Sequence, residues 1–188
     1  INASNSINIS GFYYDFSNPN PPYFYYRTSN IFNYASASGN GGTVFISTPL
    51  MIMDESAKLF TFALRDANAG QVFCNVGTLK LSDFAQINTG CSGKGQGGNL
   101  IIDASETIEI SNSSLSSATS GSGTGGNLEL NADRFEIFND STISSQSTGT
   151  GNAGNISMNA RSIFQMGNAS ITTEAKASDG GNIDINVC

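Results

Sequence analysis

The feature that most constrains this chain is a repeat with a fixed period. A small-Gly pair followed by alternating apolar residues recurs as Gly41-Gly42-Thr43-Val44, Ala69-Gly70-Gln71-Val72, Gly97-Gly98-Asn99-Leu100, Gly125-Gly126-Asn127-Leu128, Ala153-Gly154-Asn155-Ile156 and Gly180-Gly181-Asn182-Ile183. From Gly42 through Gly70, Gly98, Gly126 and Gly154 to Gly181, the spacing is 28 four times and then 27. The same register holds away from this anchor. Leu59, Ile87, Leu115, Ile143 and Ile171 are branched aliphatics at the same spacing. Two residues earlier stand Ala57, Ala85, Ser113, Ser141 and Ala169, all small; two later stand Thr61, Thr89, Ser117, Ser145 and Thr173, all hydroxylic. Order of period 2 inside each repeat, combined with a long period between repeats, describes strands that stack on their own equivalents.

Each repeat offers three short strands. The first carries pairs such as Leu100 and Ile102 or Leu128 and Leu130; the second carries Met51 and Met53, Leu79 and Leu81, Ile108 and Ile110, or Phe135 and Ile137; the third carries the small-aliphatic-hydroxyl row. No helical periodicity of 3.6 competes with this pattern. The expected fold is all-β: a right-handed parallel β-helix, since parallel connections are almost always right-handed. About six coils stacked about 4.8 Å apart make a rod on the order of 30 Å long. The chain reads as one domain over residues 1–188, with both ends in mid-coil. The glycines are expected to supply turn dihedrals that a Cβ resists. At the next position Asn99, Asn127, Asn155 and Asn182 form a structural ladder, bonding coil to coil and capping backbone groups at the bend.

Ile1–Ser10 aligns without gaps to Ile102–Ser111, so the chain begins inside a coil. From Ile1 to its next equivalent, Ile46, is 45 residues, which leaves a 17-residue insertion within about residues 11–38. All six tyrosines fall in this segment, with Phe12, Phe16, Phe24, Phe32 and three of the four prolines. Aromatic side chains on a loop provide flat contact area. Tyr13, Tyr14, Tyr23, Phe24, Tyr25, Tyr26 and Tyr34 are therefore the candidate binding residues, set against a loop that folds down to cover a coil face or the stack's end.

Composition narrows the partners. Only 12% of residues are charged, and a net charge of -7 with eight Lys+Arg gives no basic stripe, which argues against nucleic acid and anionic lipid. No apolar run is long enough for a transmembrane helix. Histidine is absent, which removes the commonest general base and metal ligand. The calcium-binding Gly-Gly-x-Gly-x-Asp nonapeptide does not occur, and no metal or cofactor is expected. Cys74 takes a core aliphatic position and Cys91 lies on the inward parity of a third strand, so both can face one lumen as a disulfide or stay as buried thiols. Cys188 is left over, with an intermolecular bond as its one evident use.

Several repeats, among them Gly-Asn-Ala-Gly-Asn-Ile-Ser-Met-Asn-Ala from Gly151 and Ile171–Ala175 through Gly180–Ile183, resemble those of filamentous-haemagglutinin-type exoproteins over about residues 40 to 187. The resemblance implies a β-helical shaft of a secreted surface adhesin exported by two-partner secretion, found outside the cell or on the bacterial surface. Contact with a protein or glycan of a host or neighbouring cell is expected, and, since no residues resemble a catalytic centre, no enzymatic activity. The runner-up is a filament subunit that associates head to tail through open β-helix ends. Two further readings are weaker. Glu109 and Glu136 occupy equivalent outward positions about 5 Å apart, as a polysaccharide-cleaving enzyme needs, but with no basic residue expected nearby and no third acid. The outward row of Ser114, Ser116, Thr142, Ser144, Ser170 and Thr172 suggests ice binding, but it is mostly serine and breaks at Gln86, Asn88, Lys58 and Phe60.

Overall fold

The computed structural model describes residues 1–10, 12–14, 26–36 and 39–188, with backbone alone at 12–14, 26–28 and 166. The described residues are strands and turns without a helix. Along the chain run β1 (Ile7–Ile9), β2 (Phe12–Tyr14), β3 (Tyr26–Thr28), β4 (Asn30–Ala35), β5 (Val44–Met53), β6 (Lys58–Ala63), β7 (Val72–Leu81), β8 (Gln86–Cys91) and β9 (Leu100–Ser111). They continue as β10 (Ser114–Thr119), β11 (Leu128–Asn131), β12 (Arg134–Phe138), β13 (Thr142–Ser147), β14 (Ile156–Ala160), β15 (Ser162–Met166), β16 (Ser170–Ala175) and β17 (Ile183–Val187). One parallel sheet runs β1-β5-β7-β9-β11-β14-β17, with β12 and β15 pairing beside it; a second runs β16-β13-β10-β8-β6-β4. Equivalent residues pair in register, as Leu115 does with Ile87 and Ile143. This is a parallel β-solenoid of about six turns with a 28-residue repeat.

Two details depart from three short strands per coil. In β5, β7 and β9 the first and second strands run on as one, whereas later circuits split at Ala132-Asp133 and at Arg161. There the backbone N–H groups of Arg161 and Ser162 both turn to the Asp133 carbonyl, at 3.0 and 3.2 Å, and the Arg161 guanidinium pairs with the Asp133 carboxylate. The period also hides a compensation. Val76 pairs with Ala104, one period on, but Thr78 pairs with Thr107, one position further, so β9 carries an extra residue as a bulge. The turn after β9 then gives one back. From Phe138 to Thr142 is four positions, but from their partners Ser111 to Ser114 is three. Glu55 and Ser56, Asp83 and Phe84, and Asn139 and Asp140 are consecutive left-handed pairs in three other second-to-third-strand turns, whereas after β9 Asn112 alone is left-handed, at φ 49°.

The inward rows form one continuous core. Ile46, Met51, Leu59, Leu79, Ile87, Ile102, Ile108, Leu115, Leu130, Phe135 and Ile143 are fully buried, each against its equivalents above and below. A Leu or Ile so placed contributes about 1.5–3 kcal/mol by burial. The hydroxylic row is inward too, and Thr61, Thr89, Ser117 and Ser145 are completely buried. Burial of a hydroxyl is tolerable only with a partner, and the glycine bend provides it. Thr61 and Thr89 donate to the carbonyls of Gly70 and Gly98 at 2.5 and 2.6 Å. Ser117 and Ser145 donate to Gly98 and Gly126 and accept the N–H groups of Gly126 and Gly154. The hydroxyl row and the glycine row are therefore one structural device.

This corrects the expected role of the glycines. Among described glycines only Gly167 has positive φ, so the second glycine of each motif is not needed for a left-handed turn. It is needed for space: a Cβ on Gly98, Gly126 or Gly154 would lie 1.9, 2.0 or 2.1 Å from a glycine carbonyl oxygen of the preceding circuit.

Candidate functional site

The aromatic insertion is smaller than its expected bounds. Twenty-two residues separate Ile9 from Ile31, where six separate Met53 from the paired Leu59, so sixteen residues are extra between them. The seventeenth is a strand residue: Asn2 bridges Ser47, 45 on, while Ile7 pairs with Met51, 44 on. Residues 30–35 belong to the solenoid as β4, in register with β6. Ile31 heads the aliphatic row, and Asn33 takes the hydroxyl's place, its Nδ2 donating to the Gly42 carbonyl at 2.6 Å. The insertion proper contains an antiparallel pair, β2 with β3, which carries Tyr13, Tyr14 and Tyr26. Tyr23, Phe24 and Tyr25 lie outside the described residues.

Alternation along β4 and β6 turns Phe32, Tyr34, Phe60 and Phe62 to the outer face, because Ile31, Asn33, Leu59 and Thr61 point inward. Pairing sets Phe32 beside Phe60 and Tyr34 beside Phe62. The Phe32 and Phe60 rings meet edge to face with centroids 5.7 Å apart, and Lys58 Nζ stands 5.7 Å from the Phe60 centroid. Phe62 lies above Gly90 of the next circuit, where a Cβ would come within 3.3 Å of its ring. Phe32 and Tyr34 remain 62% and 58% exposed, a large open area for aromatic side chains held on a rigid sheet. On another face Phe45 stacks on Phe73, centroids 5.3 Å apart and planes 7° from parallel, with Ile101 next in the row. Of the candidates named from sequence, Tyr34 alone joins a described aromatic cluster with its side chain in view. Phe60, Phe62 and the Phe45-Phe73 pair were missed, although aromatics one period apart at outward parity were legible.

The asparagine ladder is present in one specific form. Asn99, Asn127 and Asn155 each accept, through Oδ1, the backbone N–H of the next asparagine at 2.8–2.9 Å, ending on Asn182. A second ladder, unforeseen, runs amide to amide: Asn131 Nδ2 donates to Asp103, Asn159 to Asn131 and Asn186 to Asn159, at 2.7–3.0 Å.

The cysteine bridge does not form. Cys74 packs in the main core and Cys91 in a separate small cluster with Ala63, Ala67 and Ala69, and both thiols are free. Burial pushes the Cys74 thiol up to about 12. Cys188 is exposed.

Glu109 and Glu136 are register neighbours as expected, but the surroundings correct the expectation of no nearby base. Glu109 pairs with Lys80 at 2.7 Å and Glu136 with Arg134. Each carboxylate has its own cation, an arrangement suited to a solvated face. In the hydroxyl row Ser116 accepts from Asn88 at 2.7 Å and Ser144 is buried, so that face is not a uniform array of free hydroxyls. Among the described residues no three His, Cys, Asp or Glu side chains converge as metal ligands.

No family model, curated protein or solved structure matches the chain. The functional reading therefore rests on the geometry and on the repeat pattern of the sequence.

Proposed function

We propose that this chain is a non-catalytic shaft segment of a secreted bacterial surface adhesin, which holds contact surfaces away from the cell and touches a protein or glycan of a host or neighbouring cell. The observation that carries the reading is the outward aromatic face of Phe32, Tyr34, Phe60 and Phe62, built into the first circuits of a rigid solenoid beside the aromatic insertion. Exposed aromatic area on a preorganised sheet costs little ordering entropy on contact, which suits adhesion. The resemblance of the repeats to filamentous-haemagglutinin-type shafts supports the same reading and, with it, export by two-partner secretion.

The test is retention of chain-coated beads on cultured epithelial cells and on bacterial cells. Native chain should hold beads in excess of an albumin coat, and Phe32→Ser with Tyr34→Ser should abolish the excess. Retention no better than albumin on both surfaces would overturn the reading.

A further inference from the structure

Two local rules are broken at one place in the molecule. Phe84, at the second-to-third-strand turn, has φ 66°, a conformation that bulky side chains avoid and that Asn, Asp or Gly adopts cheaply. Its ring is nevertheless 62% exposed, so no buried packing rewards the strain. One circuit on, the shortened turn at Asn112 leaves Ser113 Oγ buried with no hydrogen-bond partner, whereas the equivalent Ser141 hydroxyl donates to the Phe138 carbonyl and has those of Asn139 and Ile110 within reach as alternative acceptors. Strain and an orphaned hydroxyl, retained together, are characteristic of a site kept for use.

Both flank a groove of about 340 Å³ on the outer surface. One wall is the turn column Phe84, Asn112 and Asp140, equivalent residues of three successive circuits; the other is the paired row Gln86, Ser114 and Thr142. The groove thus spans about 10 Å along the axis. The Gln86 amide and the Ser114 and Thr142 hydroxyls have no side-chain partner among the described residues, and Asp140 Oδ1 accepts only from Asn168 Nδ2, at 3.0 Å. An aromatic face opposite a row of free amide and hydroxyl groups, closed by a carboxylate, matches a ring that is apolar on its C–H face and hydroxylated at its edge. No cationic side chain lines the groove, which disfavours carboxylated or sulfated ligands. An extended peptide would need an unpaired strand edge, and β8, β10 and β13 are paired on both sides.

We propose that this groove is a binding site for a neutral oligosaccharide, with one sugar ring stacked on Phe84, its hydroxyls accepted by Asp140 and bonded by Gln86, Ser114 and Thr142. The site is separate from the aromatic face of the proposed adhesin and does not depend on that role.

Isothermal titration calorimetry of the native chain with cellohexaose and with mannohexaose tests it, with sialyllactose as the charged comparison. Saturable binding of at least one neutral hexaose is expected. Phe84→Asn should weaken it at least about tenfold, as loss of an aromatic anchor does. Phe84→Tyr should retain it, and Asp140→Asn, which keeps a residue at ease in the left-handed region, should weaken it. Phe84→Asn relieves the turn, so its unfolding midpoint should equal or exceed that of the native chain; binding lost from a better-folded protein is then loss of the site. No saturable binding of either hexaose, tighter binding of sialyllactose, or unchanged affinity in Phe84→Asn would each overturn the proposal. Bead adhesion through Phe32 and Tyr34 should persist in Phe84→Asn, so either proposal can fail alone.

Discussion

Replacing Gly126 by Ala tests the physical reason for the repeat's most regular feature. A Cβ at this position would lie 2.0 Å from the Gly98 carbonyl oxygen and 2.7 Å from Ser117 Oγ. Relaxed carbon-oxygen contacts are about 3.3 Å, so adjacent circuits must part by more than about 1 Å at the bend. Overpacking of this kind costs about 1–3 kcal/mol. The same displacement removes the Gly126 N–H bond to Ser117 and the Ser145 bond to the Gly126 carbonyl, 3.0 Å each, for about 1 kcal/mol apiece. The expected loss is about 3–5 kcal/mol, which for a chain of this size lowers the melting midpoint by about 6–20 °C. Thermal and urea unfolding followed by far-ultraviolet circular dichroism measure it. Gly180→Ala is the control from the first glycine of the same motif. Its Cβ would meet only the Thr173 carbonyl oxygen, at an ordinary 3.7 Å, and Ala69 and Ala153 already occupy that position in other circuits. That variant should be neutral or gain a few tenths of a kcal/mol through reduced entropy of the unfolded chain. A loss below about 1 kcal/mol in Gly126→Ala, or equal losses in both variants, would refute the close-approach argument.

Leu115→Ala, in the completely buried inward row, should cost about 2–5 kcal/mol in urea unfolding, while the outward neighbour Ser114→Ala should stay within about 0.5 kcal/mol. Equal effects would invalidate the inward-outward assignment of β10. A thiol reagent at neutral pH should modify one cysteine per native chain, Cys188, and three after denaturation without reductant; a total of one in the denatured chain would indicate a Cys74-Cys91 bridge. Cys74 should also set a pH dependence. Its folded value of about 12 lies above the usual 9, so the neutral thiol's contribution is complete below about pH 9 and is lost as pH rises toward about 12. The slope is about 1.4 kcal/mol per pH unit for this group. Cys74→Val should remove that part of the alkaline loss, and identical alkaline profiles for the two chains would contradict it.

The period alone was enough to read the solenoid, because stacking makes one register repeat in every circuit and a single inward row already determines the strand parity. Leu59 through Ile171 did this without reference to the glycines. What the pattern hid was anything that preserves it. The extra residue in β9 is cancelled by the shortened turn at Asn112, so the third-strand row stays in step: Ile87 and Leu115 remain one period apart, while Leu79 and Ile108 are separated by one position more. The Asp103-Asn131-Asn159-Asn186 ladder was visible as residue types but lies on outward parity, where polar residues are ordinary. The extent of the insertion was misjudged because Phe32 and Tyr34 were counted with the neighbouring aromatics, although Ile31 lies one period before Leu59 and marks a regular strand. Pairing of Cys74 with Cys91 failed because inward parity on two strands of one circuit does not bring two side chains into the same cluster.

A solenoid separates two kinds of information. Inward rows must repeat, since each side chain packs on its equivalents, and the glycine-hydroxyl device is filled in these circuits by Thr, Ser or, at its start, Asn33. Outward positions carry no such demand, so a departure there is free to serve contact with something else. The departures concentrate in the early circuits: the Phe32-Phe60 and Tyr34-Phe62 pairs, the Phe45-Phe73 stack and the strained Phe84. Phe164, 50% exposed and tilted against Phe138, is the later exception. Where exposure brings no packing gain and the backbone is strained as well, as at Phe84, surface drift is a poor explanation because Asn or Gly would relieve the turn at no cost to the core. That asymmetry makes Phe84, although absent from the sequence-derived candidates, the most informative single outward residue to replace.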